Sequence, residues 1–283
     1  LILAPDVIRL DILAMDIARS SRPGQFVVIL ADEKEKPIPL AVIDADASRG
    51  TIMVVVHACG PSSRKLGHMA INENIFAVMG PLGKPARIQN YGEVVCAATS
   101  VATAQILPIC RALKNSGNKV TGVFSSGLGR KILLEPQLRL ACHKIITKTQ
   151  DGLYERRGGV VDVIRDCMTK GQINLVYAVA PVEMLREIYD LTRTKGIKTL
   201  VQLNTFISCG TGLCGSCRVR IGGKMALVCQ DGPEFDAEEV DFDVLRRRDK
   251  AKDSLQVMSS AERQPSETAD VISKFFPGLR KMI

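Results

Sequence analysis

The chain contains no tryptophan, and aromatic residues make up only 4% of it. Proteins that grip single-stranded nucleic acid stack bases on aromatic rings, so the formal charge of +8 is not by itself a nucleic-acid signal. Acids interrupt the basic residues over most of the chain, which describes a solvated surface with basic docking faces. No run approaches the roughly 18 apolar residues that cross a bilayer, so no membrane span is expected. Asp6, Arg9, Asp11, Asp16 and Arg19 stand where a signal peptide would be apolar, and a cytoplasmic protein is therefore expected. Histidine is scarce: His57, His68 and His143 are isolated and read as barrel or surface side chains. Gly-x-Ser-x-Gly, Walker and His-Glu-x-x-His patterns are all missing, which removes the common hydrolase, nucleotide-triphosphatase and zinc-protease readings. No residue is assigned a catalytic role.

What is abundant is apolar sequence, 46% of 283 residues, enough for two domains with full cores. Residues 1–90 read as short strands parted by turns. In "VIRLDIL", Ile8, Leu10 and Ile12 alternate with Arg9 and Asp11; "GQFVVILA" follows Pro23-Gly24, and "TIMVVVHA" follows Arg49-Gly50. An antiparallel β-barrel is expected there. Residues 91–204 alternate strand and helix, with Pro181 at a first-helical position and Gly117, Gly171 and Gly196 near helix ends. That alternation predicts an α/β domain with a parallel sheet. Residues 205–240 form a glycine- and cysteine-rich module, and 241–283 a charged tail. Within the tail, "LRRRDK" at Leu245–Lys250 reads as a solvated or partner-facing segment rather than a phosphate site.

The chain has nine cysteines. Cys59, Cys96, Cys110, Cys142 and Cys167 lie far apart, mostly in apolar runs, and are expected to be small buried hydrophobes. Cys209, Cys214, Cys217 and Cys229 are different. Their C-x4-C-x2-C spacing with a fourth cysteine beyond is the plant-type [2Fe–2S] arrangement. Two thiolates must reach each iron, and three ligands on one tight loop wrap a small cluster whose fourth ligand arrives from a neighbouring strand. Gly210, Gly212 and Gly215 let the backbone close in and turn amides toward sulfur, which raises the reduction potential. Zinc sites usually show two separated knuckles where this chain has one, and two disulfides would need an oxidising compartment.

With that pattern placed after a barrel and an α/β domain, the chain resembles the flavin and iron–sulfur electron-transfer subunits of the ferredoxin–NADP reductase superfamily. The nearest types are the small subunit of NADH-dependent reduced ferredoxin:NADP oxidoreductase (Nfn) and the electron-transfer subunit of dihydroorotate dehydrogenase. "LAPDV", "RPGQFVV", "PLAV", "SSRKLG", "GPLGKP", "GLYERRGGVVDV", "GIKTLVQLN", "GTGLCGSCRV" and "CQDGPEFD" follow in the family's order, the last two pointing to the Nfn-like branch. In many Nfn small subunits the first cluster ligand is an aspartate, whereas this chain has Cys209.

The resemblance implies FAD in the barrel. Arg22, Pro23, Gly24, Gln25 and Phe26 would line the flavin, Pro39, Leu40 and Ala41 its reactive edge, and Gly60, Ser62 and Ser63 its pyrophosphate. Two departures erode this site. Pro37 stands where the family's arginine pairs with the diphosphate, and Ala41 where a hydroxyl is usual. Loss of one charge-assisted bond costs about 1.5–3 kcal/mol. The nucleotide turn departs further. Family members carry a glycine run there, allowing backbone to approach the NAD(P) pyrophosphate; Cys96–Gln105 has none, and the next strand runs into "FSSGLGR". Loss of NAD(P) binding is expected.

The implied function is an oxidoreductase subunit that passes single electrons through a [2Fe–2S] cluster between flavins. Its partners would be a larger Nfn-like flavin and iron–sulfur subunit and further redox subunits, with ferredoxin and pyridine nucleotide reached through the complex. By analogy the assembly would be electron-bifurcating. The alternative is a structural and electron-wire subunit that has lost NAD(P) and FAD; a zinc-stabilised scaffold is the third reading.

Overall fold

The computed structural model describes residues 1–126, 132–149 and 159–249. The N-terminal strands are β1 (Ile2–Ala4), β2 (Val7–Leu13), β3 (Phe26–Leu30), β4 (Ile38–Ala41), β5 (Asp44–Asp46), β6 (Thr51–His57) and β7 (Ala77–Leu82). They pair antiparallel in two sheets of order β1-β2-β6-β5 and β4-β3-β7, with helices α1 (Met15–Ser20) and α2 (Pro61–Gly67) alongside. The alternation read in β2 holds: Ile12 is buried while Arg9 and Asp11 form an outer ion pair at 2.9 Å. Pro39 cannot donate to a ladder and sits on β4, an edge strand.

A third sheet has the order β10-β9-β8-β11-β12-β15, parallel except for its last strand, β15 (Glu234–Asp236). Its parallel strands are β8 (Glu93–Thr99), β9 (Lys119–Ser126), β10 (Lys144–Thr149), β11 (Leu175–Val179) and β12 (Lys198–Gln202). Helices α3 (Ala102–Gln105), α4 (Leu107–Asn115), α5 (Glu135–Ala141), α6 (Val160–Lys170) and α7 (Val182–Arg193) connect them. In α7 the buried Val182, Leu185, Ile188 and Thr192 recur at helical spacing. Pro181 proves to be its N-cap, one residue before the first helical position. The helical segment after β8 is interrupted at Ile106, where Pro108 has no N–H to return to the Ala104 carbonyl.

After β12 the chain leaves the sheet, forms the hairpin β13 (Arg218–Ile221) and β14 (Lys224–Leu227) and the short helix α8 (Val228–Asp231), and returns as β15 (Glu234–Asp236), antiparallel to β12. The cysteine module is thus clamped at both ends by one sheet. β3 joins it to the barrel. Buried at every position, β3 sends Val27 and Ile29 into the barrel core, and Phe26 and Val28 into a second core with Val201, Cys217 and Cys229.

The tail expectation changes at its start. Residues 242–249 are helical, and Phe242 and Leu245 are buried in the same core as the cysteines. Hydrophobic anchors at Phe242 and Leu245 outweigh the charge of the intervening sequence. The rest of the tail, residues 250–283, most of "GLYERRGGVVDV" and the glycine-containing end of "FSSGLGR" lie outside the described residues.

Candidate functional site

The four module cysteines form two neighbouring pairs. Cys209 lies beside Cys214, whose amide approaches its sulfur at 3.5 Å; Cys217 lies beside Cys229, whose amide approaches the Cys217 sulfur, also at 3.5 Å. Cys229 is carried by α8, two residues past the end of β14, rather than by a strand. Positive φ at Gly210, Gly212 and Gly215 folds the loop between the pairs. A Cβ on Gly210 would stand 2.6 Å from Leu82 Cδ1 and 3.0 Å from Val28 Cγ2, so this glycine lets the loop lie directly on β3 and β7.

Burial disfavours the Cys209 thiolate, but the Thr211 hydroxyl and the Thr211 and Cys214 amides outweigh it and bring the thiol down to about 6. Burial, and then the neighbouring Cys217, push Cys229 up to about 12. Cys209, Cys217 and Cys229 are buried and Cys214 is exposed beside Leu213, itself 58% exposed. Among the described residues no group of three or more histidines, cysteines or carboxylates gathers as for a single ion. Two thiol pairs with amides aimed at sulfur suit a binuclear iron–sulfur cluster, which needs two thiolates per iron.

A cleft of about 500 Å3 opens between β4, the turn before α2, α3 and the segment Leu203–Ile207 that leads into Cys209. Of the residues expected to hold a flavin, it gathers Gly24, Phe26, Pro39, Leu40, Ala41, Gly60, Ser62 and Ser63. It does not include Arg22, Pro23 or Gln25. Gln25 is 7% exposed and spans its own turn, accepting from the Arg22 amide at 2.9 Å and donating to the Gly83 carbonyl at 2.8 Å. Gly24, at φ +91°, would bring a Cβ within 3.0 Å of the Ala86 backbone. The "RPGQF" turn therefore seats the strand that leaves the barrel, and only Gly24 and Phe26 reach the cleft. Arg22 and Pro23 border a separate depression near Arg111.

The hydroxyls at the cleft are already engaged. Ser63 Oγ accepts from the Gly60 amide at 2.9 Å, and Ser62 Oγ donates to Glu35 Oε2 at 2.6 Å. Size, apolar walls and a hydroxyl-bearing turn fit a flavin dinucleotide, while Glu35 behind Ser62 opposes its phosphates. Sequence reasoning missed Lys36, His57, Gln105, Asn204 and Thr205, which also line the cleft. His57 was legible as the last residue of a strand running into "ACGPSS"; the others come from segments that only the fold brings together.

The nucleotide turn is closed on itself. Ser100, with φ +54°, takes a left-handed conformation that favours glycine; its amide donates to the Ser125 carbonyl, and its own carbonyl accepts from Thr103 Oγ1 at 2.7 Å. Cys96, Ala97, Ala98, Ala102, Thr103 and Ala104 are buried. Gln105 donates to Gln202 Oε1 at 2.9 Å and Asn204 Oδ1 at 3.0 Å, strapping α3 to the cluster segment. Of the five other cysteines, Cys96, Cys110 and Cys142 are buried as expected, whereas Cys59 is exposed at the cleft mouth and Cys167 half-buried.

Residues 204–241 match the model for the iron–sulfur cluster binding domain of dihydroorotate dehydrogenase B. Over 246 residues, 87% of each chain, the protein is 34% identical to a dihydroorotate dehydrogenase B (NAD(+)) electron transfer subunit homolog of Thermotoga maritima. The chain belongs to the family of electron-transfer subunits of flavin and iron–sulfur oxidoreductases. A solved structure of NADH-dependent reduced ferredoxin-NADP oxidoreductase, described for flavin-based electron bifurcation, is similar with TM-score 0.82 and 33% identity, covering 88% of this chain and 90% of that one. The ferredoxin reductase of carbazole 1,9a-dioxygenase, at 17% identity and TM-score 0.56 over 70% of this chain and 63% of its own, shares the fold. The architecture is thus a ferredoxin–NADP reductase-like barrel and α/β domain, to which the family adds its C-terminal iron–sulfur module. Among the described residues no helix is long and apolar enough to cross a membrane.

Proposed function

We propose that the chain is the electron-transfer subunit of a cytoplasmic, Nfn-like oxidoreductase, with a [2Fe–2S] cluster on Cys209, Cys214, Cys217 and Cys229 and FAD in the barrel cleft. The observation that carries this reading is the continuity of the two sites: Ile207 lines the cleft and Cys209 is two residues further on, in a segment pinned by Gln105 and by β3. When bound, the two groups supply the conversion between two-electron and one-electron transfer. The protein holds the cluster thiols in pairs, aims amides at sulfur and keeps water from all but the Cys214 edge.

The exposed Cys214 and Leu213 are where a larger flavin and iron–sulfur partner would approach. Ferredoxin and pyridine nucleotide are then handled by the complex, and bifurcation belongs to the assembly rather than to this chain. The Ser100 turn, closed by its own hydrogen bonds to Ser125 and Thr103, and the Gln105 strap support the loss of NAD(P) binding in this subunit. The 2.6 Å bond from Ser62 to Glu35 favours the second reading, an electron-wire subunit without FAD.

Absorption of anaerobically purified chain separates these readings. A flavin band near ~450 nm with cluster shoulders supports the first. Cluster absorption without extractable FAD supports the second, and a colourless zinc protein would sink both. Titration with NADH and NADPH should give no saturable micromolar binding; if it does, the closed turn is not a barrier.

A further inference from the structure

We propose that Lys36 supplies the charge that Pro37 cannot, and holds the diphosphate of FAD at the mouth of the barrel cleft. The inference rests on the flavin reading above and names the residue that would select FAD over shorter flavins. Among the described residues, the cleft lining holds one lysine, no arginine and no carboxylate. His57 is its only other basic side chain. An apolar cleft with a cation at its rim suits an amphipathic anion, with the flat ring inside and the charge at the edge.

The cations of α2 are engaged elsewhere, and Lys34 does not line the cleft. Lys65 Nζ lies 3.0 Å from Asp32 and 3.8 Å from Glu35, and Arg64 Nε donates to the Ala58 carbonyl at 3.3 Å. Arg22 borders the separate depression near Arg111 and Asp44. Lys36 has no ion-pair partner among the described residues. Its backbone is fixed at the right place, because its amide donates to Ser62 Oγ at 3.2 Å on the turn that also presents Gly60 and Ser63. The lysine directly precedes Pro37, and Lys65 offsets the Glu35 charge behind Ser62. An ammonium is a point charge without the bidentate fork of a guanidinium, so the site keeps attraction while losing directional grip.

The test is titration of the full chain, stripped of flavin, with FAD, FMN and riboflavin, followed by quenching of flavin fluorescence. Lys36→Gln should weaken FAD by about tenfold, leave riboflavin unchanged and flatten the salt dependence of FAD binding. Lys36→Arg should retain wild-type affinity. An unchanged melting temperature of flavin-free Lys36→Gln checks that the fold is intact. Equal FAD affinity in wild type and Lys36→Gln overturns the role of Lys36 and leaves the flavin reading standing. An equal loss for FAD and riboflavin overturns the diphosphate assignment. A wild-type chain that takes up no flavin overturns both readings.

Discussion

Arg87 Nε lies 2.7 Å from Oε1 of Glu234, a carboxylate whose side chain is only 4% exposed. The pair ties the segment leaving the barrel to β15, the strand by which the cysteine module re-enters the sheet. The Arg87 amide adds contacts of 3.2 Å to both carboxylate oxygens. Arg87→Ala keeps the amide contacts but strips the buried carboxylate of its counter-charge, and should cost about 1–3 kcal/mol. Urea unfolding would read this directly. Glu234→Gln in the Arg87→Ala background should recover part of the loss, since the charge left unpaired is then removed.

Gly210 is the contact point between the cluster loop and the barrel. Gly210→Ala sets a Cβ 2.6 Å from Leu82 Cδ1 and asks alanine to hold φ +71°. The left-handed conformation alone costs about 1–2 kcal/mol, and the overlap with β7 adds to it. The expected result is a lower melting temperature together with less iron retained per chain. Gly222→Ala, on the hairpin turn where nothing lies within 4 Å, should lower stability without loss of iron.

The pairing of thiols predicts unequal roles for cysteines of similar burial. Cys217→Ala and Cys229→Ala each break the inner pair and should abolish both bound iron and cluster absorption. Cys110→Ser, equally buried but in the opposite core, should lose stability and keep its iron. Iron and sulfide analysis of the purified variants distinguishes the two outcomes, and cluster retention in Cys229→Ala would refute the ligand set.

The grouping of the four thiols was readable in sequence because their spacing is local. C-x4-C-x2-C and its glycines specify a tight thiolate loop wherever they occur. The sheet was readable for a similar reason, since periods of two and 3.6 residues show in any short window. What could not be read is contact between distant segments. "RPGQF" looks like one unit, yet the φ of Gly24 and the bonds of Gln25 turn Arg22 and Pro23 away from the cleft that Phe26 enters. Lys36, Gln105 and Asn204 carry no local signature, and meet only because the barrel packs against α3 and the cluster segment. Phe242 and Leu245 were hidden among charges, because two buried side chains per turn suffice to dock a helix.

The buried thiols of the α/β domain give a pH prediction of definite sign. Burial holds Cys110 well above the ordinary thiol range. Hydrogen bonding to Cys110, reinforced by burial, does the same to Cys142. Neither ionises in the folded state near neutral pH, whereas in the unfolded chain both lose protons above about 8.5. The unfolded state then binds fewer protons than the native one, so stability is fully present below pH of about 8.5 and falls as pH rises beyond it. Each thiol contributes a slope of up to about 1.4 kcal/mol per pH unit. The check is urea unfolding between neutral pH and pH of about 10, under reducing conditions, for wild type and a Cys110→Ala, Cys142→Ala double variant. Loss of packing lowers the variant's whole curve, but its fall above pH of about 8.5 should be shallower by the slope of two thiols. Parallel curves would mean that these cysteines ionise as freely folded as unfolded, and that the core around Cys96, Phe124 and Leu138 admits water.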